Sequence, residues 1–257
     1  DATLTYTAPT VSGVVINRTA PTVLVTSATT KTYKIGEVIE LTATFASPVT
    51  VTGTGVNAPA IGLTIGSTIK SATYASGSGS TAVKFQYTVV AGDLDNDGIA
   101  AASFISLPGT GTITDAAGTP VLSFGTVTDI DTIKVDGILP TVTSVSQPAS
   151  GSYVDGDTLS VTVTFSESVV VNTVAGTPSI PLTIRGMTRQ AAYDAAASSG
   201  NTLVFSYVLQ AGLDDTFVTY GSLTLGAIAL NGGTIRDAAL NDANTAYTAP
   251  TVAGVIV

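Results

Sequence analysis

The chain of 257 residues has no histidine, no cysteine and no tryptophan, and a single methionine. Without histidine there is no Ser-His-Asp triad, no imidazole base and no histidine-ligated metal. Without cysteine there is no disulfide, thiolate nucleophile, cysteine-type zinc site or cysteine-held iron–sulfur cluster. Charge is scarce too, at 11% of residues, against about a quarter in an average globular chain. It is also lopsided: 18 acidic residues face 9 basic ones, for a net charge of -9. That sign repels phosphate backbones and anionic headgroups, so nucleic acid and membrane surfaces are not expected partners. Mean hydropathy is +0.45, yet Thr, Ser or Gly interrupts every apolar stretch before 18 residues, and no membrane insertion is expected. No secretion leader or initiator Met opens the sequence, which reads as a mature chain or an excised fragment. The groups left for chemistry are carboxylates, hydroxyls, amides and five lysines.

What is present favours strands and turns. There are 44 Thr, and the acidity is almost all Asp, 15 residues against three Glu; Thr and Val suit pleated sheet, Gly and Asp suit turns. Self-similarity is stronger still. Residues 32–46, TYKIGEVIELTATFA, match 152–166, SYVDGDTLSVTVTFS; 59–65, PAIGLTI, match 178–184, PSIPLTI; 85–92, FQYTVVAG, match 205–212, FSYVLQAG; and 111–117, GTITDAA, match 233–239, GTIRDAA. The order is kept and the offset drifts only from 119 to 122, which predicts two copies of one domain. A second repeat has a different spacing: YTAPTVSGV at 6–14 recurs as YTAPTVAGV at 247–255. The expected organisation is residues 1–17 as the closing strand of a preceding repeat or a donor strand for a neighbouring subunit, then repeats at 18–136 and 137–257.

Within each repeat the hydrophobic period is two. Leu159, Val161, Val163 and Phe165 alternate with Ser160, Thr162 and Thr164; Ile39, Leu41, Ala43 and Phe45 alternate with Glu40, Thr42 and Thr44. Half-buried antiparallel strands read this way. Turn clusters at 76–80, 92–98, 197–201 and 231–233 separate the runs. Short strands at this density predict an all-β fold of two tandem immunoglobulin-like antiparallel β-sandwich domains. The pairs Phe85/Tyr87 and Phe205/Tyr207 are expected in the core and at its corners.

Segments such as SYVDGDTLSVTVTFSESVVV (152–171), LVFSYVLQAG (203–212) and LNGGTIRDAA (230–239) resemble the tandem immunoglobulin-like repeats of very large bacterial surface proteins, among them adhesins, biofilm-associated proteins and S-layer proteins. The resemblance covers both repeats. It implies an extracellular stalk or extender module, with Ca²⁺ at loops or junctions in many members.

The best chemical motif is Gly92-Asp93-Leu94-Asp95-Asn96-Asp97-Gly98. Alternate carboxylates in a tight turn match the first half of a calcium loop, although Phe104 stands where an EF-hand has its bidentate Glu. Asp93, Asp95 and Asp97, with Asp136 of the following linker, are the candidate Ca²⁺ ligands; the alternative is an acidic turn in which Asp side chains hold their own backbone. The matching Gly212-Leu213-Asp214-Asp215 lacks the triplet, and 236–242 is a further acidic loop. Asp129/Asp131 and Asp155/Asp157 read first as strand-end turns, and Asn17-Arg18-Thr19 as a fortuitous glycosylation sequon. No pair of acids stands out as a glycosidase dyad, and the phosphate-cradling GxxxxGK[ST] is absent. The expected role is a non-enzymatic spacer whose partners are neighbouring repeats or subunits of the same protein. A self-assembling S-layer or filament subunit, or a glycan- or receptor-binding module, are the alternatives.

Overall fold

The computed structural model describes residues 22–25, 31–184, 186–212 and 223–257. The chain divides after Gly137 into two compact units, 1–137 and 138–257. Residues 1–17, the sequon and 213–222 lie outside the described residues.

The first unit contains β1 (Thr22–Val25), β2 (Lys31–Lys34), β3 (Val38–Thr52), β4 (Ala60–Ile65), β5 (Thr68–Ser76), β6 (Ser80–Thr88), β7 (Leu94–Asp95), β8 (Ala100–Ser106), β9 (Thr112–Thr114) and β10 (Ile133–Asp136). One sheet runs β1-β3-β6-β5-β4-β8, with β9 also on β3; a second runs β2-β10-β7. The alternation predicted for 39–45 places Ile39, Leu41, Ala43 and Phe45 in the core, where they meet Val83 and Phe85 of β6. Tyr33, Ile133 and Val135 close the same core from the smaller sheet. Each buried aromatic or branched side chain of this kind contributes about 1.5–3 kcal/mol.

The second unit contains β11 (Val142–Ser146), β12 (Gly151–Ser152), β13 (Thr158–Phe165), β14 (Val170–Asn172), β15 (Ser179–Ile184), β16 (Met187–Ser199), β17 (Thr202–Val208), β18 (Thr224–Leu225), β19 (Thr234–Arg236) and β20 (Val255–Ile256). Its main sheet runs β11-β13-β17-β16-β15-β18, and β12–β20 and β14–β19 form separate pairs. Leu159, Val161, Val163, Phe165 and Phe205 fill its core, with Tyr193 edge-on to Phe205 at 6.2 Å between centroids. Tyr87 and Tyr207 sit half-buried at the margins of their cores. Each unit is thus a β-sandwich of immunoglobulin type, all-β and built mainly from antiparallel pairs.

The repeats differ where sequence similarity stops. In the first unit β3 continues to Thr52, crossing a register shift between Thr44 and Val49 that includes Pro48. Proline cannot donate to a ladder, and a bulge tolerates it. In the second unit the matching stretch is two strands, β13 and β14, and only β14 reaches β19.

In both units an early strand pairs in parallel with the last one. Lys31–Lys34 run alongside Ile133–Asp136, and Gly151–Ser152 alongside Val255–Ile256.

Candidate functional site

Residues 92–98 do not form one open turn. Leu94 and Asp95 make strand β7, antiparallel to β10. Alternation turns Leu94 outward and Asp93 and Asp95 inward, where they are only 2% and 5% exposed. A buried carboxylate must be paired or hydrogen-bonded, and both are.

Asp93 has three partners. Lys70 Nζ, from β5, lies 2.8 Å from Oδ1. The Tyr87 hydroxyl donates to Oδ2 at 2.5 Å, and the Val90 amide donates to the same oxygen at 3.0 Å. Burial opposes ionisation of Asp93, but the bonds from Lys70, Tyr87 and the Val90 amide outweigh it and hold the carboxyl below its ordinary value. Burial, and then the neighbouring carboxylate, push the Tyr87 hydroxyl well above the usual phenol range. The backbone joins in: Gly137 N–H donates to Asp93 O at 2.6 Å, and Gly92 N–H to Gly137 O at 2.9 Å. Asp93 thereby ties two strands of the main sheet, β5 and β6, to the residue where the chain leaves the first unit.

Asp95 caps two loops. It accepts from Gly66 N–H at 2.7 Å, in the β4–β5 turn, and from Gly98 N–H at 2.8 Å. Gly98 has φ +115°, and a Cβ there would collide with the Asp131 carbonyl, so only glycine fits.

The other two candidates are elsewhere. Asp97 is exposed. Asp136 lies opposite Leu94 in the β7–β10 pairing, with Val135 opposite Asp95, so Asp136 is on the outward face, away from Asp93 and Asp95. Among the described residues, no three carboxylates of this set bring oxygens within 4.8 Å of one another. Ca²⁺ takes six to eight oxygen ligands. Here the oxygens of Asp93 and Asp95 already face N–H and O–H donors, and an ammonium occupies the position a cation would need. The residues present do not fit a calcium loop. Accordingly, amide-exchange protection of residues 92–98 is expected to be the same in Ca²⁺ and in chelator; a gain in protection with Ca²⁺ would show that the ion displaces Lys70.

The donors were the part that sequence reasoning missed. Lys70 is in phase with buried Ala72 on β5, and an inward-phased lysine needs an anion; that was the available signal. In the second unit the matching turn, 213–217, lies outside the described residues. The acidic loop 236–242 is described, and hydrogen bonds link several of its residues to one another. Arg236 Nε donates to Asp242 Oδ1 at 2.6 Å, and buried Asp237 accepts from Asn241 N–H and Nδ2, both at 2.8 Å. The two remaining Asp pairs sit in turns, as expected. Asp129 adopts φ 60° before a short 3-10 turn, and Asp157 accepts from Val154 N–H at 2.8 Å.

Two hollows on the second unit measure about 220 and 240 Å³, below the 300–1,000 Å³ common for small-molecule sites. The first is lined by Arg236 and Asp237, whose charged groups are already engaged. No helix among the described residues is long and apolar enough to cross a membrane.

No protein-family model matches the chain, and no curated protein matches it. Among solved structures it is similar to a marsupial T cell receptor, at 12% identity and a TM-score of 0.20, over 85% of this chain and 59% of that one.

Proposed function

We propose that this chain is a non-enzymatic structural spacer, a pair of load-bearing modules from a bacterial cell-surface protein. The observation that carries the reading is the parallel pairing of an early strand with the closing strand in each unit. Tension applied through the two ends of a unit pulls such strands in opposite directions along their length. Their ladder bonds are then loaded together, in shear, instead of opening one at a time. The Asp93 network adds to this by fixing Gly137, the exit residue, to the interior. The buried carboxylates among the described residues, Asp93, Asp95 and Asp237, are engaged as internal braces, in keeping with a structural role. The resemblance to tandem bacterial surface repeats supports the location. Calcium stiffening of the kind that resemblance implies falls to carboxylates other than Asp93 and Asp95.

The first unit pairs four residues in its closing ladder and the second pairs two. In single-molecule stretching of the full chain, two unfolding events are therefore expected, the second unit yielding at the lower force. Binding to a glycan array with saturable affinity would favour the recognition-module alternative instead.

A further inference from the structure

We propose that the hollow between β14 and the β16–β17 hairpin of the second unit is a binding site for a small, neutral, polyhydroxylated ligand, a monosaccharide or a similar polyol. The inference goes beyond the spacer reading and does not depend on it.

The two units differ at this place. In the first unit Val51, in the far half of β3, turns its backbone toward the β5–β6 hairpin, and Ser78 of that hairpin fills the gap. The Ser78 Oγ accepts from Val51 N–H at 2.9 Å and donates to Val51 O at 3.4 Å. The Ser78 amide in turn donates to the Tyr74 hydroxyl at 3.1 Å. One hydroxyl group thus answers both backbone groups of a strand edge, which it can do because it donates and accepts.

The second unit has the same parts without the plug. Val171 stands 120 residues after Val51 and pairs with Ile235 of β19 on one side. Its other side faces the hairpin, because Val169, two residues earlier, donates its N–H to Gly200 O at 3.1 Å. Tyr193 holds the place of Tyr74. Each pairs with a phenylalanine across the ladder, Phe205 or Phe85, and each donates its amide to a proline carbonyl, Pro178 or Pro59. The hairpin is one residue longer, however: 12 steps lead from Tyr193 to Phe205 against 11 from Tyr74 to Phe85. Ser198 is held within it, donating to Asp194 O at 2.6 Å and accepting from Val204 N–H at 2.8 Å. Among the described residues, Val171 has no hydrogen-bond partner on this side, and neither do the hydroxyls of Tyr193 and Ser199. These three residues line a hollow of about 240 Å³, with buried Val169 and Leu203 also in its wall.

The chemistry of the wall selects the ligand. None of the lining residues is charged, so nothing there answers an ion. Val171 offers a donor and an acceptor side by side, and the two hydroxyls can each act as both. A hydroxyl group fits such a mixed set, as the Ser78 hydroxyl does in the first unit. Adjacent hydroxyls of a sugar engage several of these groups at once, while its C–H face suits Val169 and Leu203. The volume lies below the range of drug-sized ligands and suits a single ring.

The test follows the backbone amide signals of the full chain while glucose, galactose, mannose and glycerol are each titrated into the millimolar range. Saturating shifts at Val171, Ser199 and Gly200 with at least one of the four, without matching shifts at Val51, Ser78 and Gly79, are the expected result. Tyr193→Phe keeps the ring against Phe205 and removes only the hydroxyl. It is expected to weaken binding by about three- to tenfold, the worth of one hydrogen bond, while Tyr74→Phe leaves binding unchanged. Ser199→Ala carries the same expectation and replaces Tyr193→Phe should that variant melt early. Methyl glycosides of the sugar that binds separate its two sources: equal binding assigns a chain-linked sugar, lost binding a free one. Linear shifts, equal shifts in both units, or no shift with any of the four would overturn the proposal. So would binding that ignores both Tyr193→Phe and Ser199→Ala.

Discussion

Asp93→Ala is expected to destabilise the first unit by about 3 kcal/mol, the low end for breaking a buried ion pair from one side. Two partners are stranded at once. Lys70 Nζ loses its counter-ion and the Tyr87 hydroxyl its acceptor, while the Val90 amide loses a bond. The cost is limited because Lys70 is partly exposed and its ammonium can turn to water. The loss is expected in amide exchange of β5, β6 and β7, with protection in β13 and β17 unchanged. Lys70→Met combined with Asp93→Ala is expected to cost less than the sum of the two single changes, since groups that share one contact are not additive. The pH dependence has a definite sign. The folded carboxyl of Asp93 ionises at lower pH than the ordinary value of about 3.9. Its contribution is therefore complete above that value and lost as pH falls through the depressed one. The gap in stability between parent and Asp93→Ala is expected to be flat above about pH 5 and to shrink in more acidic solution. A gap that widened in acid would contradict the Lys70–Asp93 pairing.

Phe205→Ala is expected to cost the second unit about 3–5 kcal/mol, the range for removing a fully buried aromatic ring. Phe205 is fully buried at the centre of β17, facing Val161 across the β13–β17 ladder and Tyr193 edge-on. Its removal takes away transfer energy, leaves a cavity that the flanking strands only partly collapse into, and forfeits the ring–ring contact. With ordinary domain stability of about 5–15 kcal/mol, a change of this size leaves the unit marginal. Exchange through β13 and β17 is expected to rise by orders of magnitude while β3 and β6 stay protected. A rise in both units together would show that the repeats do not fold as separate cores.

The strands around Leu41, Phe85, Leu159 and Phe205 were legible because period-two alternation and burial are the same constraint stated twice. The repeat signal pointed to two units, and the chain divides into two after Gly137. The Asp93 region was only half legible. An Asp-x-Asp-x-Asp-Gly stretch is equally compatible with an open acidic turn and with a short strand, since both alternate. What decides between them is the pairing of Leu94 and Asp95 with Asp136 and Val135, some 40 residues away, and a one-residue change of phase would expose Asp95 and bury Leu94. Local sequence contains no such long-range register. The division of one strand, β3, into two, β13 and β14, was hidden for a similar reason. It depends on how far a neighbouring edge extends, whereas the apolar pattern of each half is unchanged.

The proposed role is mechanical: each unit is closed by a terminal ladder that tension would load in shear, and the chain is proposed to bear and transmit that tension. Stretching the full chain between its ends tests this most directly, with Phe205→Ala used to mark the second unit, because forced unfolding reports the barrier and not the equilibrium. The account predicts two separate force peaks, each releasing roughly 350–400 Å of chain for a unit of about 120 residues. The lower peak is expected to belong to the second unit and to fall further, or vanish, in Phe205→Ala. A single peak, extension without measurable resistance, or a lower peak that Phe205→Ala leaves untouched would contradict it.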